Sequence, residues 1–170
     1  MKVFVSHSMK DQTFLEGIQK NLNKHGLQLL LAEHEIDMRN SISEKIKAMI
    51  DNCHVGLVLF TKNGMESGFV REEIGYLEGK NKPTLIVLEK GLKPELGGFK
   101  YGCDYIDLDP EQPELTIEKI KHTLLNYWKN AIDHRNKAIA REEERRKKEE
   151  KNALIALGVL ASVLILGSRG

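Results

Sequence analysis

One carboxylate in this chain falls where carboxylates are unusual. The stretch Phe69–Gly75 reads FVREEIG and follows Ser67, a good helix N-cap residue. Val70, Ile74 and Leu77 recur at i, i+4 and i+7 and define the face that packs on a core. At about 100° per residue, Glu73 falls at the border of that face, beside Val70 and Leu77, and Glu72 points nearly the opposite way. One of two adjacent glutamates is therefore expected to be partly buried. Burial raises a carboxyl pKa and prepares it for acid, base or electrostatic work. The plainer reading of the same residue is a cap or a pair with a neighbouring loop.

Other chemistries lack their residues. No G-x-G-x-x-G or Walker pattern is present, so no glycine-rich loop cradles a phosphate. The six histidines show no H-x-x-x-H spacing and the two cysteines, Cys53 and Cys103, no C-x-x-C, so no metal site is expected. Unpaired cysteine usage fits a reducing, cytosolic compartment. Residues 1–128 carry 16 Lys/Arg against 19 Asp/Glu, a mildly acidic balance that argues against nucleic-acid binding.

The elements that must position Glu73 follow from hydropathy. Lys2–Val5 is a strand leading into the turn Ser6, His7, Ser8, and its apolar run is too short for a signal peptide. Asp11 opens a helix with Phe14, Leu15, Ile18 and Leu22 on one face, ended by Gly26. Leu27–Ala32 is a second strand, Glu33–Asn40 a polar loop, and Ser41 with Glu44 a capping box for a helix buried through Ile42, Ile46, Met49 and Ile50. Val55–Phe60, Thr84–Leu88 and Tyr105–Leu108 complete five strands, with a long loop over 90–102. Strands apolar throughout and alternating with helices indicate an α/β fold, a parallel sheet covered on both faces.

From Leu115 one long helix is expected, with Ile117, Ile120, Leu124, Trp128 and Ile132 in a stripe that packs on the domain or on another copy. Residues 131–152 form a charged stalk, with Glu142–Arg146, Glu143–Lys147 and Glu144–Lys148 as i, i+4 pairs. The segment 153–167, ALIALGVLASVLILG, is uncharged and follows a basic cluster. It reads as a membrane anchor that leaves the folded domain in the cytoplasm; the other reading is a soluble self-association helix.

Together VFVSHS, EIDMRNSI and SGFVREEIG, in this order and spacing over roughly residues 1–130, resemble a TIR (Toll/interleukin receptor) domain, and among these the prokaryotic and axonal TIR proteins that cleave NAD. The resemblance implies a flavodoxin-like sheet of order 2-1-3-4-5. It places the catalytic glutamate on Glu73, the preceding aromatic on Phe69, where Trp is frequent, and the BB loop on Glu33–Ser41, where Arg39-Asn40 stand at a commonly glycine-bearing position. In that sheet order ligands bind beyond the carboxyl ends of the first and third strands. Ser6, His7, Ser8, Glu33, Arg39 and Phe69 are then candidate substrate contacts. For the three turn residues, ordinary turn and N-cap chemistry is an equal alternative.

NAD+ is implied as substrate, with no cofactor. Its nicotinamide is already cationic and leaves as a neutral base, so the second carboxyl group of ordinary glycoside hydrolysis is dispensable. Self-association through the domain and the C-terminal helix is implied as well. The alternatives are a non-enzymatic TIR adaptor and a sensor that binds nucleotide without cleaving it.

Overall fold

The apolar runs become the strands β1 (Lys2–Ser6), β2 (Gln28–Leu31), β3 (Val55–Phe60), β4 (Thr84–Glu89) and β5 (Tyr105–Leu108) in a computed structural model that describes residues 1–32, 44–92 and 105–167, with side chains described through residue 155. All four pairings are parallel and the order is β2-β1-β3-β4-β5. This is the α/β sheet expected from the sequence. The centre of the sheet is fully apolar: β3 is buried at every residue, and Val3, Phe4 and Val5 of β1 are buried with it. The edges differ. β5 alternates exposed and buried, because an outer strand keeps one face in water.

Pleating sends alternate residues to opposite faces. Phe4, Val58, Phe60, Ile86 and Leu88 meet Ile46 and Ile50 of α2 (Glu44–Asn52) and Val70, Ile74 and Leu77 of α4 (Gly68–Gly79) in one core cluster. Val3, Val5, Leu57, Leu59 and Val87 face the other way. There Leu15, Ile18 and Leu22 of α1 (Gln12–Asn23) and Ile117, Ile120 and Leu124 of α5 (Pro113–Gly167) are also buried. Each fully buried Leu or Ile contributes roughly 1.5–3 kcal/mol, so both helical layers are held by their apolar stripes. α1 ends at Asn23, and Gly26 takes the left-handed conformation, φ 72°, that turns the chain into β2.

Between β3 and α4 lies a short helix that periodicity does not reveal, α3 (Lys62–Glu66). Thr61 caps it, its hydroxyl accepting from the Gly64 N–H at 2.9 Å. Gly64 is required: a Cβ there would run into the backbone carbonyl oxygen of Leu59, which a strand residue cannot move aside. Gly64→Ala is expected to lower stability by about 1–3 kcal/mol, read as a fall in the denaturant midpoint at unchanged slope.

The chain divides into two units, Met1–Leu124 and Leu125–Gly170. The second is α5 beyond the domain. Ile132 and Ile139 are exposed on it, and Arg145 donates to Glu142 and Glu149, so Glu142 pairs with Arg145 rather than with the expected Arg146. Ile132, placed by the sequence in the apolar stripe, is 40% exposed in the single chain. Among the described residues no helix is long and apolar enough to cross a membrane. The membrane anchor expected at 153–167 finds no support there, and the side chains from residue 156 on lie outside the described residues, as does the Ser41 capping box.

Candidate active site

Glu73 is more deeply placed than its helical azimuth suggests: it is 0% exposed. α4 starts at Gly68 because Ser67 accepts from the Val70 N–H, and the face that this start orients inward carries Val70, Glu73, Ile74 and Leu77. The carboxyl group meets Ser6, the last residue of β1, whose Oγ donates to Glu73 Oε2 at 2.5 Å. Ser6 lies opposite Val58 of β3, so the pair sits at the carboxyl side of the two central strands. Burial pushes the Glu73 pKa up to about 7, against the Ser6 hydrogen bond, which favours the carboxylate, and with a smaller push from the charge of Glu72. Glu72 itself is exposed, so of the two adjacent glutamates only Glu73 is buried.

The Ser6 bond can be isolated by mutation. Removing a donor that favours the ionised form leaves desolvation unopposed, so Ser6→Ala is expected to raise the Glu73 pKa further. A carbon-detected NMR titration of the carboxyl reads this directly, and an unchanged midpoint would show that the bond does not favour the carboxylate.

The other turn residues divide. Ser8 is buried and caps the short 3-10 turn Met9–Asp11, accepting from the Lys10 N–H at 3.3 Å. His7 is buried with Nδ1 3.3 Å from the Val5 carbonyl oxygen. Phe69, one turn before Glu73, is 41% exposed. The structure thus brings Ser6 and Glu73 together. Glu33 and Arg39 lie outside the described residues.

Sequence reasoning missed a second buried carboxylate. Asp11 precedes α1 but caps nothing with its side chain. Its two oxygens accept instead from Thr61 Oγ1 and Asn63 Nδ2, both at 2.7 Å, clamping the segment after β1 to the turn after β3. The signal was the polar Thr61-Lys62-Asn63-Gly64 cluster directly after an apolar strand, which marks a tight turn with hydroxyl and amide groups to spend. Among the described residues no group of three or more His, Cys, Asp or Glu is arranged to hold a metal ion.

Comparison with known proteins bears on this geometry. A search of curated proteins found no match. The structure of Clostridium botulinum CMP N-glycosidase, BcmB, superposes with a TM-score of 0.51 at 18% identity, covering 71% of this chain and 98% of that one. The likeness is one of fold. The TIR domains of the activated Roq1 resistosome directly recognizing the pathogen effector XopQ give a TM-score of 0.43 at 18% identity, over 74% of this chain and 73% of theirs. The sequence itself is more specific, since residues 3–125 match the TIR domain family model. That span contains all five strands and the Ser6–Glu73 pair, and the chain belongs to the TIR domain family.

Proposed function

We propose that this TIR domain is an NAD+ glycohydrolase, releasing nicotinamide with ADP-ribose or a cyclic variant as co-product. One observation carries the reading: a fully buried carboxyl group, held by Ser6 at the carboxyl side of β1 and β3, whose pKa lies near neutrality. A neighbour of similar fold named as a CMP N-glycosidase supports a glycosidase-type reading.

The chemistry asks little of the protein. The bond between ribose C1′ and the pyridinium nitrogen breaks heterolytically; its electron pair neutralises the ring, and nicotinamide departs unprotonated. The ribosyl group is left oxocarbenium-like, and ionised Glu73 stabilises it electrostatically in a dry site. Water then adds to C1′ and gives up a proton, which a carboxylate of pKa about 7 accepts readily; capture by an internal nucleophile instead gives the cyclic product. Ser6 positions the carboxylate. His7, Ser8, Glu33 and Arg39 are proposed to contact the rest of NAD+, with Phe69 stacking on the departing ring.

Glu73 is enclosed in a single copy of the chain, so turnover needs the mouth of the site to open. Self-association of several domains, aided by the C-terminal helix, is proposed to supply that step. The test is nicotinamide release by the purified full chain over a range of protein concentrations, with chromatography of the co-product. Rates rising more steeply than concentration support the reading, and no release at any concentration counts against it. A non-enzymatic adaptor is the second reading, favoured by the same enclosure and by the exposed Met9 and Phe69, apolar side chains suited to protein contact.

A further inference from the structure

The other side of the sheet carries a cavity of about 380 Å³ with no assigned role. It opens at the same carboxyl edge as Glu73 but between α1 and α5, at the ends of β3, β4 and β5, wholly within Met1–Leu124. Its walls are apolar: Phe14 from α1, Leu108 from β5, Pro110, and Pro113 and Ile117 from the start of α5. Gly17 keeps its floor open, since a Cβ there would come within 2.9 Å of Ile117 Cδ1.

The charged groups that line this apolar space are acidic, beside the hydroxyl residues Thr13 and Thr61. Asp11, Glu89 and Glu114 all line it. The Asp11 carboxylate, itself nine-tenths buried, accepts from the neutral donors Thr61 and Asn63. Glu89 accepts from the Lys62 N–H at 2.9 Å and has Lys62 Nζ 3.7 Å away, but that ammonium side chain is 72% exposed and screened by water. Among the described residues that line the cavity, negative charge therefore exceeds positive charge, and low-dielectric walls focus that potential inward. A bare metal ion fits poorly beside so much hydrocarbon, and phosphates or nucleotides would be repelled.

We propose that this cavity is a binding site for a small organic cation, a protonated amine carried on an apolar body. The ammonium group would lie between Glu89, Glu114 and Asp11, and the body against Phe14, Leu108 and Ile117. The volume stands at the small end of the range for ligand pockets, roughly 300–1,000 Å³, which suits a single aryl or branched alkyl group. The site uses none of the Ser6–Glu73 pair, so this proposal stands or falls independently of the glycohydrolase reading.

The experiment measures dissociation constants of the full chain for three isosteric probes by ligand-detected NMR: 2-phenylethylammonium, the neutral 2-phenylethanol and the anionic phenylacetate. The cation is expected to bind about fivefold or more tighter than the alcohol, and the anion weakest. Glu89→Gln and Glu114→Gln together should cut the preference for charge to what Asp11 alone supplies, while leaving the alcohol's affinity unchanged. Glu114 is exposed, so its variant alone is safe for the fold and should lose part of the preference. Thr13→Trp, placed at the rim, should block both probes. Equal affinity for cation and alcohol, failure of the cation to bind, or a charge preference undiminished in the double Gln variant would each overturn the assignment.

Discussion

Glu73→Gln is expected to reduce nicotinamide release by about 10²–10³-fold, the scale lost when a preorganised electrostatic group is removed from a transition state. Gln is close in shape and keeps an oxygen for the Ser6 hydroxyl, so the loss isolates charge from packing. KM for NAD+ should change little by comparison, because the interaction is made with charge that develops only as the ribosyl–nicotinamide bond breaks. Glu73→Ala should show the same loss. Equal turnover in wild type and both variants would remove Glu73 from the chemistry and shift the weight to the adaptor reading.

The same assay has a signature in pH. Only the carboxylate form stabilises a developing cation, so kcat/KM should rise with pH along a limb centred near the free-protein value of about 7. Bound NAD+ places a positive ring beside the carboxyl group, which favours ionisation. The kcat limb should therefore lie at lower pH than the kcat/KM limb. Coincident limbs would mean that the pyridinium does not approach Glu73 in the bound state.

Much of the frame was legible because it depends on short-range pattern. β3 and β5 occupy the residues that their apolar runs marked, and α4 begins where Ser67 called for it. What failed to show is what depends on the third dimension. A helical wheel gives the azimuth of Glu73 at the border of a face; it cannot tell that the end of β1 covers that border, which turns partial burial into complete burial. Asp11 looked like the start of a helix, but its carboxylate is spent on Thr61 and Asn63, fifty residues away or more. α3 has five residues, too few to show a period. The acidic cavity was illegible for the same reason: Asp11, Glu89 and Glu114 are scattered along the chain and gathered only by the parallel crossovers.

The second large effect is on stability, and it has the opposite sign to the effect on activity. Glu73 holds its proton more tightly folded, with a pKa of about 7, than at the ordinary value of 4.5. Below pH 4.5 both states are protonated and the group's contribution is fully present. Between 4.5 and about 7 the unfolded chain has lost its proton and the folded one has not, so stability falls as pH rises. Above that window both are ionised, and the folded domain carries a buried charge that costs about 3 kcal/mol. Glu73→Gln cannot ionise. Its amide must find an acceptor in a carboxyl-sized space, which offsets part of the gain, so the variant should be about 1–3 kcal/mol more stable than wild type at pH 8. At pH 4.5 that advantage should vanish. The other carboxylates contribute equally to both proteins, and the difference between them, from denaturant melts at each pH, isolates Glu73. A difference that stays flat across the window would show that Glu73 titrates normally. A difference that grows with pH would mean that the domain spends stability to keep one carboxylate where its charge is costly, the arrangement expected of a residue retained for chemistry rather than for the fold.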